Sequence, residues 1–316
     1  MRGLHLIPGN INLQFISRRI VFFVFSALLM IASVGLYLAK DLNYGIDFKG
    51  GILIEIKTMS GPADIKAMRS NLSDLGVGEI GLQEFGAPDE VLIRIQAQEG
   101  DEKAQQMAVD KVKTALGEGI EYRRTEFVGP KISDELFWDG IYAVGAAIFA
   151  ILVYVWFRFE WQFGLGAVVA LVHDVLSTIG IFALLGLEFN LSTVAAILTI
   201  AGYSINDTVV VYDRVRENLR RYKTLSLPEL LNNSINETLS RTVMTSVTTL
   251  LALGSLYILG GEVIRGFSFA MIWGVLIGTY SSICLAVPVL LYMKIERRST
   301  SGDADEGEEA AAEQAP

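Results

Sequence analysis

The sequence has one cysteine, Cys284, and two histidines, His5 and His173, in 316 residues. A single cysteine excludes an intramolecular disulfide and any cysteine cluster for zinc or iron–sulfur. Two histidines give no His-rich metal site, so neither a metal nor another cofactor is expected. No G-x-x-x-x-G-K-[ST] segment occurs, which removes the phosphate-binding loop of a P-loop ATPase. Charged residues are scarce, at 19% of the chain against about 25% in an average soluble domain. Hydrophobic residues make up 52% and the mean hydropathy is +0.43. A soluble enzyme is therefore excluded, and the wealth of aromatic and branched aliphatic residues excludes a disordered chain.

The net charge of -9 is local in origin. The last residues read GDADEGEEAAAEQAP from Gly302 onward, with six acids and no base. This stretch has no apolar period and is expected to be a disordered, solvated tail. The acidic balance also argues against nucleic acid as a partner.

What the chain has in abundance is long apolar runs. Six stand out, at about 20–38, 141–157, 162–187, 191–211, 242–260 and 266–293, each near the ~20 residues that cross a bilayer as a helix. The first follows Arg18 and Arg19 and is uncharged over 19 residues, longer than the roughly 7–15 apolar residues of a cleaved signal. Lysine and arginine set the orientation. With the N-terminus in the cytoplasm, 13 basic residues lie inside and only Arg265 lies in the two short outer loops. The long outer segment is not counted, because large domains cross regardless of charge. Both termini are thus expected in the cytoplasm, with one sizeable domain outside.

That domain occupies about 39–136. Gly51–Lys57 alternates as a strand, and Pro62–Leu75 carries Ile65, Met68, Leu72 and Leu75 at helical spacing. Glu79–Phe85 and Val91–Gln96 read as strands with Ala87-Pro88-Asp89 as the turn between them. Asp101–Leu116, with Met107, Val112 and Leu116, reads as a helix, and Glu121–Val128 as a last strand. The order β-α-β-β-α-β is the ferredoxin-like split motif. The domain has no nucleophile–base pair and no metal spacing, so it is read as a binding or force-bearing module, not an enzyme. Gly45, Gly50 and Gly51 imply tight backbone geometry where the first span meets the sheet. Asp47 between them suits a backbone cap or turn, and Gly129-Pro130 ends the last strand.

Charge inside a span costs about 2.5–3.5 kcal/mol by insertion scales and usually marks an ion or substrate path. Asp207 has Tyr203 and Ser204 on its face and Asn206 beside it, after Gly202. Arg241 opens the fifth span, with Thr245, Thr248 and Thr249 at i+4, i+7 and i+8. Both belong to the cytoplasmic part of the bilayer, and they are expected to pair, with proton binding to Asp207 releasing Arg241. His173-Asp174 falls near the middle of the third span; neighbours on a helix point about 100° apart, so a shared partner is not expected. Gly274 and Gly278 form a GxxxG close-packing signal, and Pro288 should bend the sixth span.

These residues fall in a set of long motifs. They are Tyr44-Gly45-Ile46-Asp47-Phe48-x-Gly50-Gly51, Glu126-Phe127-Val128-Gly129-Pro130, Phe157-Arg158-Phe159-Glu160-Trp161, Ala170-Leu171-Val172-His173-Asp174, Gly202-Tyr203-Ser204-x-Asn206-Asp207, Asp213-Arg214-x-Arg216-Glu217-Asn218 and Arg241-Thr242-x-x-Thr245-Ser246-x-Thr248-Thr249-Leu250. In order along nearly the whole chain they resemble the SecF branch of the bacterial SecD/SecF protein-export family, whose six-span unit is similar to half of an RND-type transporter. The resemblance implies a membrane α-helical bundle with one α+β ferredoxin-like extracytoplasmic domain. It implies a cytoplasmic N-terminus over 1–19, a first span over 20–38, the outer domain over 39–136 and a five-span bundle over 137–293. A cytoplasmic loop at about 214–240 and an acidic tail over 294–316 complete the layout, in the inner membrane. The partners it implies are SecD as an obligate second half, the SecYEG channel, YajC in many cases, and a translocating unfolded polypeptide. The function implied is use of the proton-motive force to finish export after the SecA ATPase has pushed. The family's coupling Asp and Arg fall on Asp207 and Arg241, and a further essential Asp belongs to SecD. A small-molecule antiporter of RND type and a passive assembly subunit are the competing classes. The first carries both halves in one chain; the second would use the buried charges for packing alone.

Overall fold

In the computed structural model, residues 12–73, 75–98, 100 and 102–293 are described; the acidic tail, Arg2 and His5 lie outside them. Among the described residues six helices are long and apolar enough to cross a membrane, and a four-stranded sheet stands between the first two.

Helix α1 (Arg19–Lys40) ends at Asp41, which takes a positive φ of 59° and holds the Leu42 N–H with its own carboxylate at 2.8 Å. A short strand β1 (Asn43–Tyr44) and one turn of helix α2 (Ile46–Lys49) lead into β2 (Gly51–Thr58). Then follow α3 (Ile65–Ser73), β3 (Ile80–Phe85), β4 (Ala87–Ile95), α4 (Glu102–Leu116) and β5 (Ile120–Val128). The sheet order is β3-β4-β2-β5, antiparallel throughout, the pairing of the split motif. Ile52, Ile54, Ile56, Val91 and Ile93 line one face and pack on Leu72, Val109 and Val112 of the helices. Leu53 and Leu92 point the other way, onto Ile46, Phe85 and Val128, so β2 is buried on both sides. Met107 stands outside this core, at 61% exposed.

The turn between the hairpin strands differs from the expectation. Ala87–Asp89 belongs to β4, and the reversal is made at Gly86, which has φ 85°. Glycine alone reverses the chain there without steric cost, and a register shift at Glu84/Phe85 absorbs the mismatch. Pro88 lies beyond the ladder to β2, so its missing N–H breaks no rung, and its carbonyl accepts from Ala63 at 2.8 Å.

The remaining helices are α5 (Pro130–Arg158), α6 (Trp161–Leu185), α7 (Leu191–Arg221), α8 (Leu227–Leu259) and α9 (Glu262–Ser281). A strand β6 (Glu188–Phe189) lies between α6 and α7. After α9 come a π-helical turn over Ser282–Ala286, the single turn α10 (Val287–Val289) and a 3-10 turn, Leu290–Tyr292. Pro288 has no N–H for the carbonyl four residues back, which breaks the regular ladder at this point. The segment expected as a loop at about 214–240 is helical except for 222–226. Apolar spacing continues beyond the expected span there: Val211 and Val215 of α7 pack with Leu230, Leu231 and Ile235 of α8, and Ser226 and Glu229 close a capping box on the first turn of α8.

The bundle has a centre and a periphery. The most apolar windows of α6, α7 and α9 are 50%, 50% and 72% buried, against 11%, 6% and 11% for α1, α5 and α8. Glycine permits the central contacts. A Cβ at Gly274 would clash with the Ile200 side chain of α7, and one at Gly278 would meet Ser204 at 3.1 Å, so the GxxxG face of α9 packs on α7. At Gly180 a Cβ would come within 2.7 Å of the Ser33 backbone, which fixes α1 against α6. Gly180→Ala should therefore lower stability by about 1–3 kcal/mol through overpacking. Gly202→Ala, at a helical position with open space, should be neutral or stabilising by up to about 1 kcal/mol. Thermal unfolding of the two variants in detergent reads the difference.

Candidate functional site

Asp174 on α6 is fully buried, and three other side chains satisfy it. Ser204 Oγ of α7 donates to its Oδ2 at 2.6 Å, Ser281 Oγ of α9 donates to the same oxygen at 2.8 Å, and His173 Nδ1 lies 3.0 Å from Oδ1. His173 and Asp174 meet each other directly, and among the described residues Ser204 and Ser281 reach Asp174 alone. The helix sets their Cβ directions about 100° apart, but both rings and carboxylates are short enough to turn back and meet where no water competes. The cage continues along α7. Thr208 Oγ1 and Ser282 Oγ are 2.8 Å apart, and Ser282 donates to the Ser204 carbonyl at 3.2 Å. Ser281 and Ser282 sit at the start of the π-helical turn, a feature frequent at functional sites. Sequence reading missed both serines, because lone serines in an apolar helix carry no periodic signal.

Asp207, one turn beyond Ser204, is 3% exposed and its Oδ2 has no hydrogen-bond partner among the described residues. Tyr203 Oη, Thr242 Oγ1 and His173 Nε2 are likewise buried and unpaired. An unmatched buried polar atom costs about 1–3 kcal/mol. Arg241 is exposed on α8, and among the described residues no ion pair joins it to Asp207. The expected direct contact is thus not made: similar depth along two helices does not set the rotation of one about the other. Thr245, Thr248 and Thr249 return their hydroxyls to carbonyls of α8 itself, at 2.9, 2.9 and 2.8 Å. It is Ser246, reaching Thr279 at 2.7 Å, that crosses to α9. Asn206 and Gly202 are exposed on the same helix as Asp207.

At the other end of α7 the glycine segment makes a junction. Asn190 caps α7 by accepting from the Thr193 N–H at 3.1 Å, and Asp47 Oδ2, 144 residues away, accepts the next free donor, the Leu191 N–H, at 2.9 Å, where a carboxylate also meets the positive end of the helix dipole. Gly45 N–H donates to Phe189 O at 2.9 Å, and β1 pairs in parallel with β6. A Cβ on Gly45 would come within 2.7 Å of Glu188. Gly50 and Gly51 have φ of 69° and 124°, and a Cβ on Gly51 would sit 2.5 Å from the Ile95 carbonyl, so neither place admits another residue without strain. Arg94 of β4 forms an ion pair with Glu188, linking the sheet to the α6–α7 connection. Tyr44, Phe48, Phe137 and Phe189 pack edge to face around this point, at centroid distances of 6.0–6.3 Å for the T-shaped pairs. Burial first, then the neighbouring Tyr37 and Asp41, push the Tyr44 phenol above its ordinary range and keep it neutral. Gly129 precedes Pro130, which takes the first position of α5.

Residues 108–296 match the family described as protein export membrane protein SecD/SecF, C-terminal, and residues 40–58, the junction segment, match the SecD/SecF GG motif. The chain belongs to the SecD/SecF family. It is 48% identical over 315 residues to the protein translocase subunit SecF of Rhodobacter capsulatus, covering 95% of this chain and 94% of that one. To the SecF subunit of Rickettsia akari it is 45% identical, covering 91% and 94%. The crystal structure of SecDF, a translocon-associated membrane protein from Thermus thermophilus, superposes with a TM-score of 0.82 at 36% identity. That match covers 92% of this chain and 40% of the SecDF chain, so the present chain spans about two fifths of that protein. A SecDF structure in a super-membrane-facing form gives 0.67. The chain of this SecD/SecF family member is accordingly a multi-pass membrane protein.

The Asp47 contact gives a direct test. Asp47→Ala frees the Leu191 N–H while the Asn190 cap stays in place, so amide exchange at Leu191 should rise about fivefold, for one hydrogen bond worth roughly 1 kcal/mol. Asp47→Asn keeps an acceptor and should stay near the parent rate.

Proposed function

We propose that this chain is the SecF-type half of a SecD–SecF pair that uses the proton-motive force to promote late translocation and release of secreted polypeptides through SecYEG, with YajC as an accessory partner. It sits in the inner membrane with both termini in the cytoplasm and the sheet domain outside. Asp207 takes up and releases the proton. Arg241 responds to its charge, while Asn206 lines the approach, and His173 and Asp174 hold or relay charge behind it.

The observation that carries this reading is Asp207 itself, buried with a carboxylate oxygen that no side chain or backbone group among the described residues satisfies. A carboxylate left so in hydrocarbon is expensive unless a proton, an ion or a partner completes it. The exposed Asn206 and Gly202 beside it, and exposed Arg241 and Thr248 on α8, are poor lipid-facing residues and suit a second bundle laid against α7 and α8. SecD would supply that bundle. A proton crossing a 100 mV potential yields about 2.3 kcal/mol, and neutralising Asp207 removes the attraction for Arg241, so each proton shifts the balance between two arrangements of α7 and α8.

The junction of Gly45, Asp47, Gly50 and Gly51 gives such a shift a route outward. Asp47 and Gly45 grip the first residue of α7 and the strand before it, and Arg94 carries the connection into the sheet. One outer domain in place of the two of a complete small-molecule antiporter fits a subunit that acts with a partner.

In vesicles holding this chain with its SecD partner, Asp207→Asn should cut proton flux and gradient-driven secretion by roughly a hundredfold, the scale of a lost proton-transferring group. Arg241→Lys should impair both in the same direction. Unchanged flux and secretion in Asp207→Asn would return the chain to a passive assembly subunit. Running secretion on a sodium gradient alone separates the two cations.

A further inference from the structure

The motif Asp213-Arg214-x-Arg216-Glu217-Asn218 takes no part in the coupling described above. Its Asp213, Arg216 and Glu217 line an open cleft of about 540 Å³ at the end of the bundle, together with Arg158, Arg220 and Arg221. The acids there are already engaged. Arg158 Nη2 donates to Asp213 Oδ1 at 2.8 Å, and Arg214 Nη1 donates to Glu217 at 2.6 Å while its Nε holds Glu237 at 2.5 Å. Among the described residues Arg216, Arg220 and Arg221 form no ion pair. Arg216 donates to the Arg158 carbonyl at 3.2 Å, and both guanidiniums lie on the ring of Phe159, at 5.5 and 4.9 Å. Phe159 is 5% exposed. A buried ring therefore sets the direction of two of the arginines before anything binds.

The setting says which anion this arrangement meets. Trp156 and Phe157, in the last turn of α5 beside Arg158 of the cleft, and Trp161, the first residue of α6, are 63%, 89% and 59% exposed. Exposed aromatic side chains at the end of a membrane helix mark the headgroup layer. Unpaired guanidiniums at that depth are placed for phosphodiester oxygens, which they bind in a fork. We propose that this cleft binds the headgroup phosphate of an anionic phospholipid, with Arg216, Arg220 and Arg221 as the binding groups and Phe159 as the positioning residue.

The test is a titration of the purified full chain in detergent with dioleoylphosphatidylglycerol and with dioleoylphosphatidylcholine, read by native mass spectrometry. The phosphatidylglycerol should bind and the phosphatidylcholine should not compete. Each arginine near an anionic lipid is worth about fivefold, so R216Q/R220Q/R221Q should lose roughly a hundredfold in affinity. Arg220→Gln and Arg221→Gln, both at exposed positions and so harmless to folding, should each lose about fivefold. The charge-matched variant K66Q/K111Q/K131Q, in the outer domain and the start of α5, should bind as the parent does. Equal affinity for the two lipids, or parent-like binding by the single and triple arginine variants, would overturn the proposal. Displacement of the lipid by millimolar inorganic phosphate would also overturn it, in favour of a soluble anion.

Discussion

A carboxylate out of reach of water has to be solvated by the protein, and in this molecule Asp174 makes that demand. Two serine hydroxyls and one imidazole meet it, and they come from α6, α7 and α9. The three most buried helices are thereby tied at one atom pair, in a bilayer where hydrophobicity gives helices no reason to prefer one another over lipid. The close approach that such short hydrogen bonds require is possible because Gly278 faces Ser204 and Asp174 without a side chain. Helices α1, α5 and α8 then wrap this centre and leave much of their surface to lipid or to another chain.

Asp207 stands one helical turn from that cage and has none of its company. The contrast between the two acids is informative. Both are buried, both sit in apolar helices, yet one has three side-chain partners and the other has an unmatched oxygen. A satisfied carboxylate stabilises one arrangement. An unsatisfied one makes the arrangement conditional on what binds it.

The same helix that carries Asp207 begins where Asp47 accepts the Leu191 N–H, so α7 runs from the foot of the sheet domain to the far end of the bundle. Over its 31 residues, at 1.5 Å each, it spans about 46 Å. One rigid element thus passes the domain junction, the buried acids and the arginine cleft in turn. The glycines at the junction are not flexible points; they are places where backbone and neighbouring side chains come too close for a Cβ.

Much of this was legible in the sequence. Six apolar runs of membrane length, the split β-α-β-β-α-β order and the identity of the sparse charges in the spans follow from residue type and period, which are local properties. Helix ends were less legible, as α7 and α8 show: hydropathy marks the expected span, whereas Val211, Val215, Leu230 and Ile235 keep the helices packed beyond it. The long-range partners were not legible at all. That Asp47 reaches Leu191, that Asp174 rather than Asp207 collects the serines, and that Arg241 stands off from Asp207 depend on how each helix is rotated about its axis. Rotation is decided by packing among all six helices at once, through contacts such as Gly274 on Ile200 and Gly180 on Ser33, and no single stretch of sequence contains it.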